Sequence, residues 1–194
     1  HQEFAHQLVA CISFLQSEGA TPSSDFYNAV SNKTGVYGHS MGGGASFLVP
    51  NEFPAIDAIC GLAAAETTPS AIAALSSYSS PFMVISGSED NTAPPASNQE
   101  LMYDGPTGPK IHVSILGGAH CKFTDGSTIC DFVSSAGSIT REEQQKITNR
   151  YTTGFFNYFL KDSLSALSYI CGDSLGHDID NGIVTAQSDQ IVCV

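Results

Sequence analysis

The chain has 194 residues, enough for one domain with a sizeable core, and no linker divides it into two. Its formal net charge is −12, from 19 acidic and 7 basic residues. Such a surface repels phosphate backbones and anionic lipid, and no apolar run approaches the length that spans a bilayer. The composition therefore argues against nucleic-acid binding and against a membrane span.

Helical and strand-like segments alternate along the chain. A helix is predicted over residues 3–16, where apolar residues recur at helical spacing. Short apolar runs then predict strands at residues 35–38, 56–62, 82–86 and 111–116, and helices are expected from Ser40 to about Pro50, at 69–77 and at 97–103. The last helix is marked by the capping box Thr140-Arg141-Glu142-Glu143 and by an apolar stripe of Ile147, Tyr151, Phe155 and Phe159.

This alternation of short strands and helices predicts an α/β fold with βαβ units and a mostly parallel sheet. The residues after Lys161 are rich in Gly, Ser and Asp and are interpreted as a loose tail.

The sequence Gly38-His39-Ser40-Met41-Gly42 matches the G-x-S-x-G pattern of a nucleophilic serine. In this pattern a strand turns sharply into a helix, so that the serine hydroxyl projects above the sheet. The flanking positions are small because the turn is tight. A predicted strand precedes Ser40 and a glycine-rich helix start follows it, which favours a catalytic serine over a plain turn serine.

A serine hydroxyl is a weak nucleophile unless a base accepts its proton, and that base needs a carboxylate to orient it. Asp90 follows the predicted strand 82–86 and His120 follows the strand 111–116, so both are expected at the carboxyl ends of strands. Glu89 is the alternative acid. The other histidines weighed as the base, each interpreted as structural or surface-exposed, are His6, His112 and His177.

The six cysteines show no CxxC motif and no zinc-ligand spacing, which favours disulfides and an oxidising compartment. Cys121 and Cys130 lie nine residues apart in a polar loop, and Cys171 and Cys193 bracket a Gly- and Asp-rich segment. We therefore predict the disulfides Cys121–Cys130 and Cys171–Cys193 in a secreted, extracellular protein. The two that remain, as a further bridge or as buried thiols, are Cys11 and Cys60.

Three segments resemble the secreted cutinase-like and dienelactone-hydrolase-like esterases of the α/β-hydrolase superfamily, a group that includes bacterial hydrolases of polyethylene terephthalate. They are Gly38-His39-Ser40-Met41-Gly42-Gly43-Gly44, Ser86-Gly87-Ser88-Glu89-Asp90 and Gly117-Gly118-Ala119-His120-Cys121. The resemblance runs from the first helix to about Lys161. It implies that residues 1–161 form the catalytic part of an α/β-hydrolase fold and that residues 162–194 are a disulfide-closed C-terminal tail.

The resemblance also implies where the acyl group of a substrate binds. In that family the residue before the nucleophile and the loop after the next strand line the acyl groove. Carried over to this chain, the groove is lined by His39, Glu66 and Thr67. The family's polyester hydrolases often carry a Trp in that loop, whereas this chain contains no Trp.

The front of the fold departs from the family pattern. Related hydrolases place several strands before the nucleophile, whereas one helix precedes it here. One oxyanion donor is the backbone N–H of Met41, directly after Ser40. The second donor comes from a loop after an early strand, which this sequence lacks. We therefore expect a sheet without the first strands of the fold, completed by a missing N-terminal segment or by a partner chain.

Together these features predict a carboxylic-ester hydrolase acting on an ester or polyester. Ser40 attacks the carbonyl, His120 carries the proton, and Asp90 orients and stabilises the imidazolium. No metal or organic cofactor is expected, and the Asp-rich stretch 178–182 is interpreted as a turn because its oxygen-ligand spacing is incomplete for calcium. The alternatives are an acyltransferase with the same triad and a hydrolase-derived binding module without catalysis.

Overall fold

The computed structural model describes residues 1–126 and 128–191. Within these ranges, five strands form one sheet in the order β1-β2-β3-β4-β5. The strands are β1 (Gly35–His39), β2 (Ala58–Leu62), β3 (Phe82–Gly87), β4 (Lys110–Ile115) and β5 (Val184–Asp189). The first four are parallel, and β5 is antiparallel to β4. This architecture confirms the prediction of an α/β fold with a mostly parallel sheet.

Helices connect and flank the strands. They are α1 (Gln2–Ala20), α2 (Met41–Leu48), α3 (Ala71–Leu75), α4 (Gln99–Asp104), α5 (Thr128–Val133), α6 (Arg141–Lys161), α7 (Leu167–Cys171) and α8 (Asp173–Asp180). The capping box that predicted the start of α6 is formed, since the Thr140 hydroxyl accepts from Glu143 N and the Glu143 carboxylate accepts from Thr140 N. No helix in the described ranges is long and apolar enough to cross a membrane.

The central strands separate two apolar cores. Successive side chains of β3 point to opposite faces: Phe82 and Val84 join the core beneath α1 to α4, and Met83 and Ile85 join the core beneath α6 to α8. Strands β2 and β3 are buried along their whole length because helices cover both faces. This burial explains why they are continuous apolar runs rather than alternating ones.

Strand β1 lies at one edge of the sheet. Among the described residues it pairs with β2 alone, in the register Val36 to Ile59. Helix α1 packs against α2, with Ala5 and Ile12 buried. The Tyr37 side chain at the edge remains 59% exposed. The strand that leads into Ser40 therefore has a free edge in the part of the fold that the structure describes.

The interpretation of the residues after Lys161 as a loose tail is wrong for residues 162–191. They form α7, α8 and β5, and β5 pairs with β4 along its full length. Leu167, Ile170 and Leu175 are buried in the same core as Phe155 of α6. Strand β5 has no clear sequence signal because it is a largely exposed, mostly polar edge strand. Its pairing depends on a partner far away in sequence.

Candidate active site

The turn between β1 and α2 holds Ser40 in a backbone conformation that residues other than glycine rarely adopt. Its backbone has φ 55° and ψ −123°, outside the regions that non-glycine residues favour. The turn is fixed by two long-range bonds, from Ser40 N to Leu62 O and from Ala65 N to Ser40 O, both 3.0 Å. Strain of this kind costs about 1–3 kcal/mol and persists only where the surrounding structure enforces it. The hydroxyl therefore stands at the carboxyl end of the sheet in a single, enforced position.

The two glycines of the motif differ in what they do. A Cβ at Gly38 would lie 2.3 Å from Gly42 O, so that position accepts no side chain. A Cβ at Gly42 would meet no atom within 4 Å. The tightness of the turn thus explains Gly38 but not Gly42 within the described residues.

A continuous chain of hydrogen bonds joins Ser40, His120 and Asp90. His120 Nε2 lies 2.9 Å from Ser40 Oγ, and His120 Nδ1 lies 2.7 Å from Asp90 Oδ2. Because the carboxylate can only accept, Nδ1 carries the proton and Nε2 is left to accept from the serine hydroxyl. The three residues predicted from separate motifs therefore come together with the polarity that a nucleophile, a base and an orienting acid require.

Hydrogen bonds hold the Asp90 carboxylate in a fixed position. Its side chain is fully buried, and its second oxygen, Oδ1, accepts from Thr92 N and Ala93 N at 2.8 Å each. Its loop is also bonded to the loop of His120, since Glu89 N donates to Gly118 O at 2.8 Å. These contacts fix the carboxylate against the imidazole without any further side chain.

His39 packs directly on His120. The two rings lie 4.7 Å apart between centroids, and His39 Nε2 donates to His120 O at 3.0 Å. Burial, and then the neighbouring His120, lower the pKa of His39 to about 4. His39 is therefore neutral near pH 7, so it adds no charge beside the His120 imidazole.

The side chains of the predicted groove residues after β2 bond to backbone groups close to them in sequence. Glu66 Oε2 accepts from Ile72 N at 3.0 Å, and the buried Thr67 donates from Oγ1 to Pro69 O at 2.6 Å. Their assignment as substrate contacts stays a prediction. Met41, by contrast, is the first residue of α2, so its backbone N–H belongs to the helix N-terminal groups that lack an intrahelical acceptor.

Sequence reasoning missed two side chains at the start of α4 that bond to the loop after β2. Asn98 Oδ1 accepts from Glu66 N at 2.9 Å, and the buried Gln99 donates from Nε2 to Ala64 O at 2.6 Å. Both are ordinary polar residues at the start of a short helix. Each of them bonds to a residue more than 30 positions earlier in the chain. Only the fold brings these partners together, so no local signal identifies Asn98 or Gln99.

The alternative candidates lie in other surroundings. Glu89 accepts from Ser138 Oγ at 2.7 Å, and the buried His112 bonds to Ser86 Oγ at 2.8 Å. His6 pairs with Glu52 at 2.7 Å, and His177 is exposed. None of the four contacts Ser40 through the hydrogen bonds described, and the described residues contain no group of three or more His, Cys, Asp or Glu side chains placed to hold a metal ion.

The disulfide predicted between Cys121 and Cys130 is formed, with a Cα–Cα distance of 5.7 Å. It joins the residue after His120 to helix α5. Cys193 lies outside the described residues, so the Cys171–Cys193 disulfide stays a prediction. The cysteines whose pairing the sequence left open are both free thiols: Cys11 is exposed and Cys60 is buried.

Comparison with known proteins agrees with this geometry. A model of the PET hydrolase-like family matches residues 2–138, a range that contains Ser40, Asp90 and His120. The curated proteins contain no match to the chain. Since the family model covers well over half of the sequence, the chain belongs to the PET hydrolase-like family.

Proposed function

We propose that this protein is a serine-dependent carboxylic-ester hydrolase that works through an acyl-enzyme. The observation that carries the proposal is the hydrogen-bonded chain from Ser40 Oγ through His120 to Asp90, built at a strained strand-to-helix turn. Membership in a hydrolase family supports the same conclusion from a larger part of the chain. A packing role requires neither the strain at Ser40 nor the full burial of an Asp–His pair.

Acylation follows from the positions of the three side chains. His120 Nε2 accepts the Ser40 proton as Oγ bonds to the ester carbonyl carbon, and the carbonyl oxygen becomes an oxyanion. The Met41 N–H donates to that oxygen. Asp90 stabilises the imidazolium through Nδ1–H, and the imidazolium then protonates the alkoxide oxygen, so that the alcohol leaves and the acyl group remains on Ser40.

Deacylation repeats these steps with water as the nucleophile. His120 accepts a proton from water as the water oxygen bonds to the acyl carbon, and it returns a proton to Ser40 Oγ as the acid leaves. His39 stays neutral beside the imidazolium, as its lowered pKa of about 4 requires. The neutral ring favours the positive state of His120 more than a charged neighbour would.

The proposed substrates are esters of carboxylic acids, including polyesters. This assignment rests on the family match and on the position of the site at the carboxyl ends of the strands. His39, Glu66 and Thr67 remain the proposed groove residues. Within that group, His39 has the most direct support, because its ring touches the base itself.

The test is hydrolysis of p-nitrophenyl butyrate by the purified chain, by Ser40→Ala and by Ser46→Ala. Loss of the nucleophile is expected to lower kcat by at least about 10³-fold. Ser46→Ala is the matched control. Ser46 lies on α2, the helix that begins after Ser40, and its hydroxyl donates only to Gly42 O. Its kcat should stay within about threefold of the parent. Retention of a tenth of the parent kcat in Ser40→Ala would refute the triad.

We also propose that further strands, from an additional segment or a partner chain, cover the free edge of β1. A groove lined by Phe4, Leu8 and Tyr37 runs along this edge, and Gly38 and Gly42 line it too. A backbone N–H placed there would stand beside the strand-to-helix turn as the second oxyanion donor. Absence of one such donor costs about 10²–10³ in kcat, so the 194-residue chain alone should still show weak, measurable hydrolysis.

Sedimentation velocity combined with the esterase assay tests this second proposal. An exposed sheet edge is expected to drive self-association of the isolated 194-residue chain. A stable monomer with a kcat typical of complete esterases, about 10 s⁻¹ or above, would contradict it.

We propose, finally, that the protein acts outside the cell. The disulfide Cys121–Cys130 is of a kind that forms and persists in oxidising compartments.

A further inference from the structure

A buried glutamine of α6 contacts the chain segment that carries His120. Gln144 lies in the first turn of α6, directly after the Thr140–Glu143 capping box, and is 0% exposed. Most glutamines are solvent-exposed, and burial of an amide is unfavourable unless both of its polar ends are bonded. The position of Gln144 therefore calls for partners inside the fold.

Those partners are the two backbone groups of a single residue, Ala119. Gln144 Oε1 accepts from Ala119 N at 2.9 Å, and Gln144 Nε2 donates to Ala119 O at 2.9 Å. Ala119 is itself fully buried and directly precedes His120. Ala119 O also accepts from Lys122 N, at a longer 3.3 Å. The amide thus fixes both the position and the rotation of the peptide groups that lead into His120.

The same segment is bonded to the loop of Asp90. Gly118 O accepts from Glu89 N at 2.8 Å, and a Cβ at Gly118 would lie 3.2 Å from Gln144 Oε1 and 3.1 Å from Gly87 Cα. The segment at 118–119 is therefore packed between Gln144 on one side and the Asp90 loop on the other. Displacement of Ala119 would change the His120–Ser40 distance and the His120–Asp90 distance together.

We propose that Gln144 is a positioning residue for His120. It touches neither substrate nor the reacting atoms, and it acts by holding the Ala119 backbone so that Nε2 stays within 2.9 Å of Ser40 Oγ. The inference rests on the proposed esterase function. A misplacement of about 1 Å at a catalytic group can cost about 10²-fold in rate, which sets the scale of the expected effect.

The chain supplies a matched control one residue away. Gln145 lies on the same turn of α6 and donates from Nε2 to Thr124 O at 2.9 Å, beyond the short 3-10 helix His120–Phe123. Gln144→Met and Gln145→Met are the same substitution, and each removes bonds to a loop carbonyl. Gln144→Met alone frees Ala119.

The first experiment compares p-nitrophenyl butyrate hydrolysis by the parent and by these two variants. For Gln144→Met we expect kcat to fall about 10- to 100-fold, with KM within about twofold. KM is expected to change little because His120 serves acylation and deacylation alike, so both slow together. Gln145→Met should keep kcat within about threefold. Equal kcat values for the two variants would overturn the proposal.

The second experiment uses Gln144→Glu to separate positioning from packing. An ionised carboxylate accepts from Ala119 N but repels Ala119 O, whereas the protonated acid can make both bonds of the amide. Burial raises the pKa of such a carboxyl group, so more of it is protonated at pH 5.5 than at pH 8. The ratio of the Gln144→Glu kcat to the parent kcat should therefore rise at least about threefold between pH 8 and pH 5.5. A ratio that does not change with pH would contradict the proposal.

A third readout is independent of hydrolysis. The His120 Nδ1 proton, bonded to Asp90, should give a downfield NMR resonance that is retained in Gln145→Met and lost or shifted in Gln144→Met. An unchanged resonance in Gln144→Met would overturn the inference even for a protein without esterase activity. Failure of the esterase proposal itself would appear instead as equal rates for the parent and Ser40→Ala.

Discussion

Burial of His112 should make the fold sensitive to acid at a site outside the proposed triad. His112 lies on β4 and is 6% exposed. Gln187 Nε2 donates to its Nδ1 at 3.3 Å, so the ring proton is on Nε2, which donates to Ser86 Oγ at 2.8 Å. A second proton on Nδ1 would face the Gln187 amide hydrogens. Burial accordingly lowers the pKa of His112 to about 4 from an ordinary value of 6.5.

The sign of the effect follows from these two pKa values. Between pH 6.5 and about 4 the unfolded chain binds a proton at His112 and the native protein does not. The free energy of unfolding therefore falls as the pH drops through this window and is unaffected above it. By pH 4.5 the loss from this one group is on the order of 2 kcal/mol, a large part of the roughly 5–15 kcal/mol that stabilises a typical domain.

The assay is urea unfolding at pH 7.5 and pH 4.5 for the parent, His112→Gln and the exposed control His177→Gln. The parent and His177→Gln should lose about 2 kcal/mol more between the two pH values than His112→Gln does. The carboxylates Glu100 and Asp104 line the same cavity as His112, but they are present in all three proteins, so their contribution cancels in the comparison. An equal loss in His112→Gln and the parent would refute the reasoning.

Three further predictions concern the strand-to-helix turn and the disulfides. Gly38→Ala places a Cβ 2.3 Å from Gly42 O and should lower kcat for p-nitrophenyl butyrate at least about tenfold, whereas Gly42→Ala, whose Cβ meets no atom within 4 Å, should change it less than about threefold. Equal losses in the two variants would show that the turn does not discriminate between them. Cys130→Ser opens the loop closed by the Cys121–Cys130 disulfide and should lower the free energy of unfolding by up to about 2.5 kcal/mol, measured in urea. Non-reducing peptide mapping should also find Cys171 joined to Cys193, and a free thiol at Cys193 would contradict both that bridge and part of the case for secretion.

The sequence alone determined the elements whose chemistry or packing is local. The G-x-S-x-G turn could be predicted because a tight strand-to-helix turn needs small residues within a few positions of the serine, and Gly38 shows that need directly. Asp90 and His120 could be predicted because parallel strands bring their carboxyl ends to one edge of the sheet. The start of α6 was likewise local, since the capping box from Thr140 to Glu143 satisfies the helix terminus by itself.

Only the tertiary structure decided the features that depend on distant partners. Strand β5 is polar and largely exposed, and it becomes a strand because the free edge of β4 offers hydrogen bonds across about 70 residues of sequence. Gln144 is one polar residue on an amphipathic helix until the fold places Ala119 against it. Asn98 and Gln99 bond to Glu66 N and Ala64 O, residues more than 30 positions earlier in the chain, which motif spacing does not reveal. Hydrogen bonds of this kind stabilise only pairs that chain topology brings together, so their positions cannot be read from local sequence.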